Sequence, residues 1–278
     1  MQMTQTPPSL SVIREQFKIE SVSVVSHCSL LAHPDFDLTM FTHCNLAVLI
    51  FVLILQDQVH TGEIVGGHEV APHSRPYMVI LELKKSNGNI AYCDGFLVNE
   101  HFVMTAAHCE ARSYKVFLGL HDYKDRKNVQ TVTVNETNAF PHEGYDKTCL
   151  MNDIMLLKLH PKVKFNENVT SIALAGRDDT GSVPKSCAVL GWGNTENGKP
   201  SDVLREVNVN LTDIEFCAKE KKYCSKGRTG PGKGDSGGPL VCECGKAYGV
   251  VSGNQQNTNG YTMIPEYRDW IDCILKHK

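Results

Sequence analysis

From Tyr77 onward the chain alternates short apolar runs with turn residues. "MVILEL", "CDGFLV", "KVFLGL", "VQTVTV", "DIMLLKL", "CAVLGWG", "LREVNVNL", "GPLVC" and "AYGVVS" all have strand length. Several alternate apolar and polar positions with the period of two that a half-buried strand needs. Many strands at short spacing predict an all-β barrel or sandwich. The end breaks this pattern. In "PEYRDWIDCILKHK" Tyr267, Trp270, Ile271, Ile274 and Leu275 recur at helical spacing, and Pro265 can open the first turn, which predicts a helix over 265–277. "ALAGRDDTGSVP", from Ala173 to Pro184, reads as a linker between two strand-rich halves.

The opening third is different. Residues 1–39 sustain no period, and Leu46 to Leu55 is an unbroken apolar run of ten residues. A membrane-spanning helix needs about twenty, so the run suits the core of a signal peptide better than a span. The n-region before it would begin naturally at Met40. The expectation is therefore a working start at Met40, a signal peptide over 40–61 and an upstream extension of doubtful use over 1–39.

Charge excludes one function class. The formal charge is −3, but residues 1–63 hold Arg14 and Lys18 against Glu15, Glu20, Asp35, Asp37, Asp57 and Glu63. What remains, with 26 basic and 25 acidic residues, carries +1, too balanced for a nucleic-acid binder. Lys219, Lys221 and Lys222 could touch an anionic glycan, though a solvated loop explains them as well. Eleven cysteines without paired C-x-x-C spacing point to disulfides in an oxidising compartment. Cys242-Glu243-Cys244 would return two thiols to one strand face, but no second ligand pair accompanies them, so no metal is expected.

Three segments carry chemistry together: "TAAHC" with His108, "NDIMLLKL" with Asp153 and "GKGDSGGPLVC" with Ser236. A serine hydroxyl is a poor nucleophile until an imidazole accepts its proton, and the imidazole needs a carboxylate to fix its tautomer. A lone histidine is usually structural, and an aspartate before an apolar strand is common. "GDSGGPL" is the specific signal. Gly234 lets backbone approach a reacting carbonyl, so that its N–H and that of Ser236 can form an oxyanion hole, while Gly237 and Gly238 keep the turn slim.

With these motifs the chain from Ile64 to its end resembles the trypsin-like, chymotrypsin-fold serine proteases. "PHSRPYMVIL" (Pro72–Leu81) resembles the granzyme and mast-cell chymase branch in particular. The resemblance implies two six-stranded antiparallel β-barrels, about 78–172 and about 185–264, with a C-terminal helix and a cleft between the barrels. It implies a Ser-His-Asp endopeptidase acting on protein or peptide substrates, without cofactor, metal or membrane span, secreted or stored in granules. Leu120 stands where calcium-binding relatives carry a loop acid. Ser252 would lie beside Asp153.

The resemblance also implies that "TGEIVGGHEV" holds the activation site of a zymogen. Cleavage after Glu63 would free the Ile64 ammonium to pair with Asp235, which has reason to stay out of the interior until then. Gly62-Glu63 resembles the acidic dipeptide that granzyme-like zymogens lose to a dipeptidyl peptidase. The disulfides implied are Cys93–Cys109, Cys187–Cys242 and Cys217–Cys224, leaving Cys149, Cys244 and Cys273. Asn135, Asn168 and Asn210 begin N-x-T sequons.

The specificity pocket would be built from Gly230, Pro231, Gly232, Ser252, Gly253, Asn254 and Asn259. Gly230 replaces the aspartate of trypsin-like members, and Asn259 the arginine of aspartate-selective granzymes, so an uncharged pocket is expected. Two departures stand out. Only "AKEKKY" separates Cys217 from Cys224, and the loop "SGNQQNTNGY" is short, with Gly253 and Asn254 where an aromatic residue and a glycine usually flank the substrate. A wide pocket, loosely held substrates and wrongly joined exons would each explain them. The competing function class is a catalytically silent glycan-binding or antimicrobial protein on the same scaffold.

Overall fold

The computed structural model describes residues 64, 66–127, 129–180, 184, 186–227, 229–255 and 258–278. The signal-peptide run, the upstream extension and the Gly62-Glu63 dipeptide lie outside them. Strand β1 (His68–Glu69) is followed by β2 (Met78–Lys84), β3 (Ile90–Asn99), β4 (Phe102–Thr105), β5 (Ser113–Leu118), β6 (Gln130–Asn135), β7 (Ala139–Pro141) and β8 (Met155–Lys158). The second half contributes β9 (Ser186–Gly191), β10 (Arg205–Asn210), the helix α1 (Glu215–Lys219), β11 (Lys222–Lys226), β12 (Pro239–Val241), β13 (Ala247–Gln255) and β14 (Thr258–Met263), and ends in α2 (Arg268–His277).

These strands form two curled antiparallel sheets, in the orders β6-β5-β2-β3-β4-β8-β7 and β1-β10-β9-β12-β13-β14-β11. Each has seven members, where the resemblance implies six, for local reasons. In the first sheet one pass of chain, interrupted by the 3-10 turn Glu136–Asn138, supplies both β6 and β7, which pair at opposite ends. In the second, β1 reaches over from the start of the domain and pairs with β10. A bridge between Leu211 and Ser225 joins β10 to β11 and brings the ends of that sheet together.

Burial follows the alternation in β6 and β10, where every second residue faces a core. β2 is buried on both faces. Leu81 and Leu83 enter the core of the first sheet with Phe96, Val116 and Leu157. Met78 and Ile80 meet Leu190, Trp192 and Leu204 of the second sheet in a separate cluster between the two. Helix α2 lays Ile271 and Ile274 on the core of the first sheet and carries Asp269 in its first turn and Lys276 and His277 in its last, charges that suit its dipole. Among the described residues no helix is long and apolar enough to cross a membrane.

Two sequence readings need correction. The segment 252–261, read as a loop, is mostly a hairpin: β13 runs on to Gln255, β14 begins at Thr258, and Asn254 pairs with Asn259. Cys244 does not share a strand face with Cys242. β12 ends at Val241, and Cys244 sits exposed in a 3-10 turn with φ of 57°. Disulfides join Cys93 to Cys109, Cys187 to Cys242 and Cys217 to Cys224, and among the described residues Cys149, Cys244 and Cys273 have no disulfide partner.

Candidate active site

His108 sits in the 3-10 turn Ala107–Cys109 that follows β4, between two fully buried neighbours. Cys109 is tied to Cys93 on β3, so the turn cannot swing away from the sheet. Asp153 leads into β8 and is fully buried. A buried carboxylate is tolerable only with donors around it. Its Oδ1 accepts the His108 backbone N–H at 2.8 Å, and its Oδ2 lies 2.7 Å from His108 Nδ1 and accepts the Ser252 hydroxyl at 2.6 Å. An ionised carboxylate can only accept, so Nδ1 donates, and in the neutral imidazole Nε2 keeps its lone pair. Thr262 Oγ1 also donates to the Asp153 carbonyl at 3.0 Å, a buried contact that sequence reading missed.

Ser236 is half-buried on the turn before β12. Its carbonyl accepts the Asp94 N–H at 2.8 Å and lies 3.8 Å from Cys109 Sγ, which brings the serine turn against the histidine turn. The next residue must be glycine. Gly237 has φ of 85°, and a Cβ there would stand 2.1 Å from Thr105 Oγ1 and 2.4 Å from the Asp94 carbonyl oxygen. Gly237→Ala is therefore expected to lower the melting temperature by about 8 °C or more and to abolish labelling of Ser236, as thermal denaturation and an active-site probe would show. Among the described residues neither the Gly234 N–H nor the Ser236 N–H has an acceptor, so both remain available to a substrate oxygen.

Asp235 is fully buried, its Oδ1 accepting from Gly193 N–H at 2.6 Å and its Oδ2 from Gly232 N–H at 2.7 Å. Ile64, read as the partner that a cleavage would free, is fully buried in the core of the second sheet. The two backbone donors offset part of the desolvation of Asp235. Burial still pushes its pKa up to about 6, and among the described residues it has no cationic partner.

The expected pocket residues gather on the second sheet. Gly230 abuts the buried Asn259: a Cβ there would stand 2.5 Å from Asn259 Nδ2. Asn259 Nδ2 reaches Ser225 Oγ at 3.5 Å, and that hydroxyl lies 2.9 Å from the Tyr261 hydroxyl, so the groups beside Gly230 are polar and neutral. Gly253 is covered by a residue the sequence did not single out. A Cβ on it would stand 2.6 Å from Leu150 Cδ1, and only about 20 Å³ remains open among Leu150, Phe216, Lys222 and Gly253. Leu150 thus closes the space above Gly253. A cleft of about 590 Å³ passes Gly234, lined by Ile90, Tyr92, Trp192, Pro200 and Lys233, and His108 borders another of about 550 Å³.

The lysines read as a solvated loop are individually neutralised. Lys222 is buried on β11 and bonds Glu220 at 2.9 Å, Lys219 faces Glu215 at 2.8 Å, and Lys221 lies 3.8 Å from Glu266. Leu120 is buried in the cluster between the sheets. Asn135 and Asn210 end β6 and β10 in exposed positions, and Asn168 is half-buried.

Comparison with known proteins agrees with this arrangement. The family model described as Trypsin matches residues 64–271. Mast cell protease 2 of Meriones unguiculatus is 37% identical over 244 residues, spanning 83% of this chain and 98% of its own. Granzyme-like protein 2 of Rattus norvegicus is 40% identical over 247 residues, 83% of this chain and 97% of its own. A solved structure described as "Structure of GrC" superimposes with a TM-score of 0.69 at 36% identity, over 77% of this chain and 100% of that one. With a family model spanning most of its length and relatives matched almost end to end, the chain belongs to the trypsin family and is a serine endopeptidase.

Proposed function

We propose that the protein is a secreted or granule-stored endopeptidase, made as a zymogen, that cleaves peptide bonds after uncharged residues. The observation that carries this reading is the buried Asp153 carboxylate, bound at once to the backbone and ring of His108 and to Ser252. His108 Nε2 takes the proton of Ser236 as its Oγ attacks the substrate carbonyl, and the Gly234 and Ser236 N–H groups receive the developing oxyanion. His108 returns the proton to the leaving amine, an acyl-Ser236 ester remains, and water attacks it by the same route.

The signal peptide over 40–61 directs the chain into the secretory route, where oxidising conditions suit three disulfides and N-glycans suit Asn135 and Asn210 better than Asn168. A dipeptidyl peptidase removes Gly62-Glu63. A purely glycan-binding role loses support from the pairing of Lys219, Lys221 and Lys222 with acids, and His108, Asp153 and Ser236 are all retained.

A peptide library varied at P1, cut by protein beginning at Ile64, tests the pocket. Apolar and aromatic P1 residues should exceed Lys, Arg and Asp by at least about tenfold in kcat/KM, since neither Gly230 nor Asn259 offers a charge to pair with them. A preference for Lys or Arg would refute the uncharged pocket, and no cleavage of any member would refute the endopeptidase reading.

A further inference from the structure

Asp94 brings an acid to a place where neighbouring strand residues are apolar. It lies on β3, 2% exposed, next to the disulfide-bonded Cys93. Its backbone holds the serine turn: the N–H donates to the Ser236 carbonyl at 2.8 Å, and its own carbonyl accepts Thr105 Oγ1 at 2.8 Å and packs on Gly237. Its side chain points to the same spot as Asp235. A Cβ built on Gly191 would stand 2.1 Å from Asp235 Oδ1 and 2.2 Å from Asp94 Oδ2, so the two oxygens lie no further apart than the sum of those lengths.

Two buried carboxylates this close do not both ionise. Their donors are unequal. Asp235 accepts two backbone N–H bonds, at 2.6 and 2.7 Å, whereas Asp94 accepts one, from Trp192 at 3.2 Å. The charge therefore rests on Asp235 and the proton on Asp94. Among the described residues no ion pair reaches Asp94 from the other elements. β2 brings Ile80 beside Asp94, and β4 with its following residue brings Thr105 and Ala106. The segment after β9 brings backbone and the Trp192 indole, whose N–H goes to the His121 carbonyl. His121 itself bonds Glu69, and Lys233 is exposed on the same cleft that Asp94 lines, with no ion pair between them.

We propose that Asp94 is a positioning residue, a neutral carboxylic acid that donates to Asp235 and so holds the Gly232–Ser236 turn that presents the Gly234 and Ser236 N–H groups. This rests on the reading that Asp235 is the acid met by the freed Ile64 ammonium. One ammonium balances one carboxylate, so the pair keeps its proton after activation. Burial and the neighbouring Asp235 raise the Asp94 pKa well above the usual carboxylate range. The sign follows. A carboxyl that holds its proton more tightly folded than unfolded loses its contribution to stability as pH climbs from the unfolded pKa through the folded one.

The test uses protein beginning at Ile64 and its Asp94→Asn variant, whose carboxamide can accept from Trp192 N–H and donate to Asp235 at every pH. Melting temperature and the rate of fluorophosphonate labelling at Ser236 are followed from about pH 5 to about pH 9. Over that range the wild-type melting temperature should fall by about 5 °C or more relative to the variant, and the alkaline decline of labelling should begin about one pH unit earlier. The infrared spectrum of the wild type at neutral pH should contain a protonated-carboxyl C=O stretch that the variant lacks. Parallel pH profiles overturn the positioning role, whether or not the band is present, and an absent band overturns the shared proton. If neither protein is labelled at any pH, the underlying reading of Ser236 as the nucleophile has failed and the proposal falls with it.

Discussion

Ser236→Ala is expected to lower peptide-bond hydrolysis roughly a millionfold, and His108→Ala nearly as far, effect sizes that belong to serine-protease triads in general. The reason lies in how few groups can do this work. Ser236 stands on a turn fixed from both sides, by Asp94 N–H on its own carbonyl and by the bonds of Gly237 and Gly238 with Val251 on β13. His108 is held twice by one buried carboxylate. Neither substitution removes a core side chain, since Ser236 and His108 are both half-buried, so melting temperatures should move by no more than about 3 °C. Turnover of a peptide with an uncharged P1 residue measures the loss, and a fluorophosphonate probe should label the wild type at Ser236 and leave both variants unlabelled. Hydrolysis by Ser236→Ala within tenfold of the wild type would refute the acyl-enzyme reading.

The division into two strand-rich halves and the closing helix could be read from hydrophobic pattern alone, and three of the strands that escaped that reading did so for physical reasons. β4 is four residues long and wholly buried, so it has no alternation to see, and it runs directly into the "TAAHC" motif. β11 and β14 are spelled with polar letters, KYCSK and TNGYTM, yet are mostly buried. Their polar groups are satisfied by specific partners: Lys222 by Glu220 close by in the chain, and Ser225 by Tyr261 and Thr262 by the Asp153 carbonyl, both far away in sequence. Strands that build a polar site look like loops because the site's needs have replaced the apolar pattern.

The same distinction separates the site residues that were legible from those that were not. His108, Asp153 and Ser236 sit in motifs where each residue type has a chemical task. Asp94 and Leu150 sit in none. Asp94 meets Asp235 only because β3 crosses beneath the serine turn, and no spacing rule links positions so far apart. One signal was available: a carboxylate between Cys93 and Gly95, within a strand otherwise apolar on its inward face.

Protein beginning at Ile64 is expected to exceed protein that retains Gly62-Glu63 by about a hundred- to a few thousandfold in kcat/KM at about neutral pH, the equivalent of the roughly 3–5 kcal/mol for a buried charge deprived of its partner. Asp235 is fully buried among backbone donors, with its pKa pushed up to about 6 by desolvation, and among the described residues no cation meets it. Without an ammonium its folded pKa lies above the unfolded one, so the inward arrangement weakens as pH rises from about 4 through about 6. An ammonium reverses the sign: the ion pair holds Asp235 ionised, favouring the inward arrangement above that range and losing its effect as acid protonates the carboxylate. The advantage of the processed form should therefore be greatest at neutral pH and shrink toward pH 5, which distinguishes a charge effect from simple removal of an obstructing dipeptide. Acetylating the Ile64 amine offers the sharper control, because it keeps the processed length and deletes only the charge. Activity must then fall toward that of the uncut form; acetylated protein that works as fast as unmodified protein would show that the new terminus acts through something other than Asp235.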